Sequence, residues 1–280
     1  MLRLRDAVDA GIARLTPTVG TDAHSDAFVL LAFATGRQIA SLRLNLDDEI
    51  KPETLSIFES AVAQRLKFQP ISQIIGYREF WKHRFKVTPS VLDPRPDTET
   101  LVEQALELGP FKSIVDLGTG SGCILLSLLS EWPSSLGVGI DASDAALDVA
   151  RDNAGTLFLT SRTDFRIGNW CDGIPERFDL VVSNPPYITE RAMDALSRDV
   201  KDWEPRIALT PEGDGLDAYR AISNGAKNIL NPNGVLLLEI GFDQGTTVTQ
   251  MLMDHGFFDV HLHQDINGKD RVVSARLAPL

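Results

Sequence analysis

The residues numbered 178 to 187 read Phe178-Asp179-Leu180-Val181-Val182-Ser183-Asn184-Pro185-Pro186-Tyr187. The first half of this stretch is a short apolar run, which predicts a buried strand. Pro185 and Pro186 have no N–H donor and a fixed φ, so the strand has to end there and the chain has to continue in an extended form. Asn184 is therefore expected at the carboxyl end of the strand, which is where open α/β sheets bind their ligands.

Asn184 and the residue after it offer two hydrogen-bond acceptors. The proline ring holds the backbone carbonyl of Pro185 at a fixed separation from the side-chain oxygen of Asn184. Such a pair suits a planar –NH₂ group, whose two hydrogens lie in one plane. By itself, the run from Asn184 to Tyr187 is also compatible with an ordinary turn, so its meaning depends on the rest of the chain.

The composition predicts an ordinary globular protein and disfavours binding to duplex DNA. The chain has 280 residues, of which 43% are hydrophobic and 24% are charged, and this length suggests one large or two modest domains. Residues 1–80 carry 9 Lys and Arg against 10 Asp and Glu, so residues 81–280 carry 18 against 29. A region this acidic lacks the clustered positive charge that phosphate binding needs.

The cysteines and the apolar runs bear on the cellular setting. Cys123 and Cys171 show neither metal-ligand spacing nor a disulfide framework, so a reduced, cytoplasmic setting is expected. No apolar run approaches the roughly 18 residues of a membrane span, and we expect no membrane partner. The first residues carry charges where a signal peptide would need its apolar stretch.

Residues 1–75 predict a small helical bundle domain. Apolar residues recur at helical spacing between Leu4 and Leu15, a second helix fits residues 22–34, and a third begins at Pro52. No residue in this region suggests catalysis. Its expected role is recognition of a partner or substrate, or service as a lid.

Residues 76–96 predict a hairpin and a linker. Residues 80–87 alternate in the manner of a strand or hairpin, and three prolines then mark an ordered connector before a helix from about Asp97 to Leu108. Arg95, Asp97 and Glu99 cluster in this connector. One interpretation makes Asp97 a helix cap with Arg95 as its surface partner, and the other gives the cluster a contact with a cofactor.

Residues 97–280 predict an α/β domain with a doubly wound, mostly parallel, seven-stranded sheet. From residue 111 onward strands alternate with helices, which is typical of a parallel sheet covered on both faces. The candidate strands are residues 113–117, 137–140, 164–167, 180–183, 235–240, 258–263 and 272–277. The candidate helices between them are residues 122–130, 145–154 and 217–229. The turn signal Asn267-Gly268 predicts that the last two strands form a hairpin.

A glycine loop follows the first predicted strand of this domain. It reads Gly118-Thr119-Gly120-Ser121-Gly122, and each of these five residues is a candidate contact for a cofactor. Glycines let the backbone turn tightly and let a ligand approach the main chain. Dinucleotide loops have glycines at the first, third and sixth positions, but Cys123 stands at the sixth position here. The spacing is closer to the loop of proteins that bind S-adenosylmethionine (SAM), and a turn without a ligand is the alternative.

The next two strands end in residues that suit the rest of a nucleoside. Asp141 ends the second strand, and an acid there can accept hydrogen bonds from both ribose hydroxyls. Its alternative role is to cap the following helix, although Asp144 is also placed to do so. Asn169-Trp170 ends the third strand and suits adenine, while Trp170 could equally be a core residue. The loop, the acid and the aromatic residue occur in the expected order on successive strands.

These motifs carry a resemblance to a known family. The run from Asn184 to Tyr187 is similar to the signature of methyltransferases that act on amino groups. More closely, the chain resembles the HemK-like protein-(glutamine-N5) methyltransferases, which modify peptide-chain release factors. The supporting segments are residues 79–81, 94–99, 116–122, 184–187, 204–209, 213–216 and 239–241. The segment Pro94-Arg95-Pro96-Asp97-Thr98-Glu99 is the discriminating one, because nucleic-acid enzymes with the Asn-Pro-Pro-Tyr element usually lack it.

The resemblance implies a SAM-dependent methyltransferase fold and activity. The methyl group would pass from SAM to the side-chain amide nitrogen of the glutamine in the Gly-Gly-Gln motif of class I release factors. Asn184, Pro185 and Tyr187 would be catalytic, and together with Pro186 they would bind the substrate. The expected cofactor contacts are Gly118, Thr119, Gly120, Ser121, Gly122, Asp141, Trp170 and Asn184. No metal and no direct nucleic-acid substrate are expected.

Two alternatives remain open at this point. One is a nucleic-acid amino-methyltransferase that acts on adenine N6, which the acidity of residues 81–280 disfavours. The other is a binding module that has kept the fold without catalysis, which the intact run from Asn184 to Tyr187 argues against. Two departures from the family pattern, Gln73 and Asp93, put the docking of the substrate in doubt more than the chemistry.

Three further residues receive no role in the reaction. His261 and His263 share one face of a predicted strand, but without a third ligand a surface position is favoured over a metal site. Glu239 ends another strand and is expected to lie buried near the site.

Overall fold

The computed structural model describes residues 2–278, so Met1, Pro279 and Leu280, at the outer bounds of the predicted domains, lie outside it. The described chain forms two compact units. The helical unit comprises residues 2–76 together with Ser197–Trp203, and the sheet unit comprises Tyr77–Leu196 together with residues 204–278. Each unit has its own apolar core.

The helical unit is a bundle of amphipathic helices. Its helices, numbered along the whole chain, are α1 (Leu4–Val19), α2 (Ala23–Thr35), α3 (Ile39–Leu44), α4 (Pro52–Arg65), α5 (Ile71–Ile75) and α9 (Arg198–Lys201). Buried leucines, valines and phenylalanines from α1, α2 and α4 make the core. Inside it Arg65 donates to Asp26 at 2.7 Å, which partly offsets the upward effect of burial on the pKa of Asp26. Helices α3 and α5 were not predicted because six and five residues are too short to show a clear period.

Residues Ser197–Trp203 belong to the helical unit although they lie far along the chain. The side-chain amide of Gln73 donates to the backbone oxygen of Trp203 at 3.0 Å. The indole of Trp203 donates to the backbone oxygen of Lys67, also at 3.0 Å. The guanidinium of Arg198 lies 4.1 Å from the centre of the Phe68 ring. These contacts hold α9 and the residues after it against the end of α4 and the start of α5.

The sheet unit contains a small hairpin and a large sheet covered by helices. Its strands are β1 (Tyr77–Phe80), β2 (His83–Lys86), β3 (Ser113–Leu117), β4 (Leu136–Asp141), β5 (Thr163–Ile167), β6 (Phe178–Ser183), β7 (Leu230–Glu239), β8 (Phe257–Gln264) and β9 (Asp270–Leu277). Its helices are α6 (Glu99–Leu108), α7 (Cys123–Glu131), α8 (Asp144–Thr156), α10 (Arg206–Leu209), α11 (Asp217–Ile229) and α12 (Gly245–Asp254). No helix within residues 2–278 has both the length and the apolar character to cross a bilayer.

The large sheet has seven strands within the described residues, in the order β5-β4-β3-β6-β7-β9-β8. Strands β3 to β7 run parallel to one another, β9 pairs antiparallel with β7, and β9 and β8 form an antiparallel hairpin at one edge. The predicted doubly wound, mostly parallel sheet is therefore confirmed. The strand order changes direction between β3 and β6, and such a switch point is the usual ligand site of an open α/β sheet.

The pairing of β3 with β6 aligns the two motifs found in the sequence. Asp116 lies opposite Val182 in the parallel register. Gly118 and Asn184 each follow two residues later, so the glycine loop (residues 118–122) and the acceptor motif (residues 184–187) leave the same edge of the sheet side by side. The fold thereby brings together two segments that lie more than 60 residues apart in the sequence.

Strand β7 and helix α12 of the sheet unit differ from the sequence-based expectations. Strand β7 begins at Leu230 instead of residue 235, because Leu230 pairs with Phe178 before the chain makes a turn in which Asn233 has φ +63°. Helix α12 was not predicted at all. Its β-branched threonines disfavour a helix locally, but Val248 and Leu252 pack into the core and stabilise it there.

Candidate active site

A cavity of about 480 Å³ lies at the carboxyl edge of the sheet, within the size range of small-molecule sites. It is lined by the glycine loop, by the ends of β4, β5 and β6, by residues that precede α6, and by residues of α10 and α11. The lining residues include Gly118, Thr119, Gly120, Ser121, Ile140, Asp141, Asn169, Trp170, Asn184, Pro186, Arg95 and Thr98. Most of the predicted site residues thus face one cavity, while Gly122, Pro185 and Tyr187 are not part of its lining.

The glycine loop depends on glycine at each of its three glycine positions. Gly118, Gly120 and Gly122 have φ values of +73°, +55° and +79°, a region that other residues rarely adopt. A Cβ atom at Gly122 would lie 3.1 Å from Leu126 and 3.3 Å from Ala150. Gly122 therefore serves the close packing of α7 on α8, while the other two glycines leave the main chain bare toward the cavity.

Asp141 anchors the glycine loop and still faces the cavity. One of its oxygens accepts the backbone N–H of Gly120 at 2.8 Å, and the other accepts that of Ser143 at 2.9 Å. Burial raises the pKa of Asp141, and these backbone hydrogen bonds lower it in part. Each carboxylate oxygen has a further lone pair for a ligand hydroxyl. The cap of α8 is Ser143, whose hydroxyl accepts from the backbone of Ala146, so neither Asp141 nor Asp144 has the capping role considered for it.

Trp170 borders both the cavity and the apolar core. Its ring lines the cavity and also packs against the apolar core beneath the sheet. A Cβ atom at Gly118 would lie 3.4 Å from this ring, so the indole borders the start of the glycine loop. Asn169, next to it, is exposed and lines the same wall.

Asn184 reaches the cavity with its side chain held at one end. Its amide nitrogen donates to the hydroxyl oxygen of Thr98 at 3.1 Å. Thr98 is 2% exposed and lies in the 3₁₀ turn Pro96–Thr98, just before α6. With the nitrogen bound to Thr98, the side-chain oxygen of Asn184 is the end left available to a ligand.

Tyr187 is held through its backbone by a buried amide. The side-chain nitrogen of Gln244 donates to the backbone oxygen of Tyr187 at 3.1 Å, and its oxygen accepts from the backbone of Gly241 at 3.0 Å. The hydroxyl of Tyr219 also donates to that oxygen, at 3.3 Å. Burial raises the pKa of the Tyr187 phenol well above its usual value, so the phenol is neutral at physiological pH.

Two fully buried carboxyl groups lie near the glycine loop and near Asn184. Asp116 precedes the glycine loop and accepts from the hydroxyl of Thr119 at 2.8 Å. Glu239 ends β7, next to the strand that carries Asn184, and its Oε2 has no hydrogen-bond partner among the described residues. Burial is the main cause that raises the pKa of each group to about 7. Both groups are therefore close to their titration midpoint at neutral pH.

The connector before α6 is a framework of ion pairs and hydrogen bonds. Nη2 of Arg95 donates to both carboxylate oxygens of Glu204, at 2.7 and 2.8 Å. Asp97 pairs with Arg271 at 3.0 Å, so the suggested pairing of Arg95 with Asp97 is wrong. Glu99 accepts the backbone N–H of Trp81 at 2.7 Å and fixes the hairpin turn. Arg95 alone of the predicted cluster lines the cavity.

Asn153 is a structural contact that sequence reasoning missed. It lies on α8, is 1% exposed, and accepts the backbone N–H of Lys86 at 2.7 Å. Its amide nitrogen donates to the backbone oxygen of Ser121 at 2.9 Å. One side chain therefore ties the glycine loop to the end of β2. An asparagine inside a helix gives no sequence signal for this role, and the same is true of Gln244 at the start of α12.

The two histidines of β8 have other partners. His261 contacts Asp259 at 2.8 Å, and His263 contacts the hydroxyl of Ser274 on β9 at 2.8 Å. Within residues 2–278 no group of three or more His, Cys, Asp or Glu side chains is arranged to hold a metal ion.

The chain is similar to known proteins over nearly its whole length. Residues 6–76 match the family model described as the PrmC N-terminal domain, and residues 93–202 match that of the methyltransferase small domain. A release factor glutamine methyltransferase of Cereibacter sphaeroides is 48% identical, with 99% of each chain covered. A protein of the same name from Geobacter sulfurreducens is 42% identical, over 89% of this chain and 87% of that one.

A solved structure shares the fold at low sequence identity. A methyltransferase from Pyrococcus furiosus aligns with a TM-score of 0.51 and 14% identity, over 69% of this chain and 88% of that one. At this identity the likeness concerns the fold alone.

Proposed function

We infer that this chain, which belongs to the family of release factor glutamine methyltransferases, transfers the methyl group of SAM to the side-chain amide nitrogen of a glutamine in peptide-chain release factors. The family resemblance noted in the sequence is thereby confirmed. The observation that carries the proposal is that the glycine loop, Asp141 and Asn184 line one cavity, although they follow three different strands. A methyl donor and an amide acceptor can then meet across the strand switch point.

The residues on the donor side fit SAM. The bare backbone of Gly118 and Gly120 suits the methionine portion, the carboxylate of Asp141 suits the ribose hydroxyls, and Trp170 offers a flat apolar wall for adenine. When bound, SAM supplies an electrophilic methyl group on a sulfonium. This assignment of the individual contacts is part of the proposal.

The acceptor side has to overcome the weak nucleophilicity of an amide nitrogen, whose lone pair is shared with the carbonyl. We propose that the side-chain oxygen of Asn184 and the backbone oxygen of Pro185 accept the two N–H hydrogens. These hydrogen bonds strengthen as positive charge develops on the nitrogen, so they stabilise the transition state more than the bound substrate. Correct positioning of the reacting atoms can contribute about 7–11 kcal/mol more.

Tyr187 and the proton complete the scheme. The neutral ring of Tyr187 is proposed to lie against the plane of the substrate amide, beside the stiff run of Pro185 and Pro186. The methylated amide nitrogen carries an extra proton and is strongly acidic, so it loses that proton to water. No side chain of the site has to act as a general base.

The finer identity of the substrate is also a proposal. The family resemblance points to the glutamine of a Gly-Gly-Gln motif in class I release factors. Two glycines before the glutamine would let that backbone enter a narrow site closely. We further propose that the helical unit recognises the release factor, since its described residues include none of the cavity lining. A cytoplasmic setting, expected from the two free cysteines, belongs to the same proposal.

The test uses radiolabelled SAM with two forms of a purified class I release factor. One form carries the Gly-Gly-Gln motif, and the matched form carries Gly-Gly-Ala. We expect label in the first form only. Equal labelling of both forms, or labelling of added DNA or RNA in place of the protein, would overturn the assignment of the substrate.

A further inference from the structure

The side chain of Asn184 has two ends with opposite hydrogen-bonding character. Its oxygen only accepts and its nitrogen only donates, and the two ends have nearly the same shape. If the amide turned over, it would present an NH₂ group to the NH₂ group of a substrate glutamine. The proposed reaction therefore needs some other group that decides which end faces the cavity.

Thr98 is in contact with the far end of that amide. Its hydroxyl oxygen lies 3.1 Å from Nδ2 of Asn184, and the residue is 2% exposed, so water does not compete for this contact. A hydroxyl carries a single hydrogen. If that hydrogen points toward another acceptor, the oxygen can only accept from Asn184, and the amide is fixed with its nitrogen toward Thr98.

Glu239 is the acceptor that lies at the right place. Leu238 pairs with Ser183 in the sheet, so Glu239 and Asn184 follow at the same level on neighbouring strands. The carboxyl group is 1% exposed, and hydrogen bonding from Thr98 and from Tyr187 lowers its pKa against the larger, upward effect of burial. An ionised carboxylate accepts and cannot donate, so it draws the hydrogen of Thr98 toward itself.

We propose that Thr98 and Glu239 are positioning residues for the methyl transfer. Glu239 fixes the direction of the Thr98 hydroxyl, and Thr98 in turn holds the Asn184 amide with its oxygen toward the acceptor nitrogen. The proposed relay runs from the buried carboxyl group of Glu239 through the hydroxyl of Thr98 to the amide of Asn184, and the contact between Thr98 and Asn184 is 3.1 Å long. The inference rests on the proposed function, because it assigns the orientation of the group that this function uses.

The protonation state of Glu239 gives the relay a pH dependence. Burial raises the pKa of Glu239 to about 7, against the lowering effects of Thr98, Arg271 and Tyr187. Once protonated, Glu239 can donate, so Thr98 is free to point its hydrogen at Asn184 and the amide can turn over. Turnover should therefore rise as the pH rises through about 7.

The ionisable groups that face Glu239 from the elements around it are Arg271 on β9, Asp97 before α6, Tyr187 after β6, Cys123 on α7 and Tyr219 on α11.

The first experiment compares Thr98→Val, Thr98→Ser and a control, Ser127→Ala. Valine keeps the shape of threonine without the hydroxyl, serine keeps the hydroxyl, and Ser127 is a buried hydroxyl that has no hydrogen-bond partner among the described residues. We expect Thr98→Val to lower kcat about 10- to 100-fold, by analogy with the loss on removing the outer hydrogen-bond partners that orient metal ligands. The KM for SAM should change little, while Thr98→Ser and Ser127→Ala should keep most of the turnover. Wild-type turnover in Thr98→Val would overturn the inference.

The second experiment measures kcat against pH for the wild type and Glu239→Gln. The kcat of the wild type should rise near pH 7, and this rise should be absent from Glu239→Gln. If Thr98→Val does not fold, this comparison alone tests the positioning role of Glu239. An identical rise in both proteins would overturn the role of Glu239. A wild-type protein that labels no release factor would instead overturn the proposed function, and the inference with it.

Discussion

The cavity has a donor half, formed by the glycine loop and Asp141, and an acceptor half, formed by Asn184 to Tyr187. The two halves are held in place by different kinds of contact. The donor half is mostly main chain: the glycine loop has three positive φ values and is held by the carboxylate of Asp141. The acceptor half depends on side chains, since Asn184 is held by Thr98 and the backbone after it by Gln244. The donor half requires glycines, which leave the main chain bare. The acceptor half requires particular side chains, which come from positions far away in the sequence. Substitutions should therefore affect the two halves in separable ways.

The largest effect is expected from Asn184→Ala. It removes an oriented acceptor that acts in the transition state, so turnover should fall about 10²–10³-fold. SAM affinity, measured by calorimetry, should stay near the wild-type value. The matched change Asn169→Ala removes an asparagine from the donor wall of the same cavity, and it should alter the KM for SAM and leave kcat nearly unchanged. Unchanged turnover in Asn184→Ala would show that the acceptor half is assigned wrongly.

Asp141→Ala should have the opposite signature. The change removes a charged acceptor and also releases the N–H of Gly120, which together should weaken SAM binding about 10- to 100-fold, since hydrogen bonds to charged groups contribute about 1.5–3 kcal/mol. The value of kcat at saturating SAM should change little. Asp144→Ala, at an exposed acid three residues away, is the control and should bind SAM normally. Normal binding in Asp141→Ala as well would remove Asp141 from the donor half.

Gln244→Ala tests the support of the acceptor half. It leaves the backbone oxygen of Tyr187 and the N–H of Gly241 without their partner, while the hydroxyl of Tyr219 keeps its contact with the backbone oxygen of Glu239. Unsatisfied buried groups cost about 1–3 kcal/mol, so urea denaturation should give a lower free energy of unfolding, and kcat should fall more than SAM affinity. Gln250→Ala, an exposed glutamine of the same helix, should change neither quantity. A fall in SAM affinity alone would contradict the division into halves.

The smallest effect on catalysis is expected from Asn153→Ala, the corresponding support of the donor half. Loss of the hydrogen bonds to Ser121 and Lys86 should lower the free energy of unfolding by about 1–3 kcal/mol. The KM for SAM should rise severalfold because the glycine loop is less firmly held, and kcat should stay close to that of the wild type. Asn228, a second asparagine on a helix face, lines another cavity and serves as the control through Asn228→Ala. An equal loss of kcat in Asn153→Ala and Asn228→Ala would contradict the expectation that Asn153 acts on SAM binding and not on kcat.

The same comparison explains how much of the structure the sequence could predict. The glycine loop and the run from Asn184 to Tyr187 are local signals: glycine spacing and paired prolines each constrain the backbone where they occur. Alternating apolar segments predicted every strand of the large sheet, with ends shifted where Leu230 pairs beyond a turn. The parts that hold the acceptor half were out of reach, because Thr98 lies 86 residues from Asn184 and no local pattern links them.

Helix α12 and Gln244 show a second limit. A segment rich in threonine has little helical preference, and it becomes a helix because Val248 and Leu252 fill space against the sheet. Gln244 takes its position from that helix. When the role of a residue depends on tertiary packing, the residues next to it in the sequence do not indicate that role.

The register between β3 and β6 has a consequence for how this active site can diversify. Asp116 and Val182 lie opposite each other in the sheet. The hydrogen bonds between β3 and β6 therefore fix the distance between the glycine loop and the acceptor motif, and loop conformation has little influence on it. Deleting one residue from β6 would shift the acceptor motif by about 3.3 Å and turn its side chains to the opposite face. Substituting the residues after Ser183 leaves the register between β3 and β6 unchanged. New methyl acceptors are thus reached by substitution at a strand end, and insertions inside the strands are the changes that such a fold tolerates least.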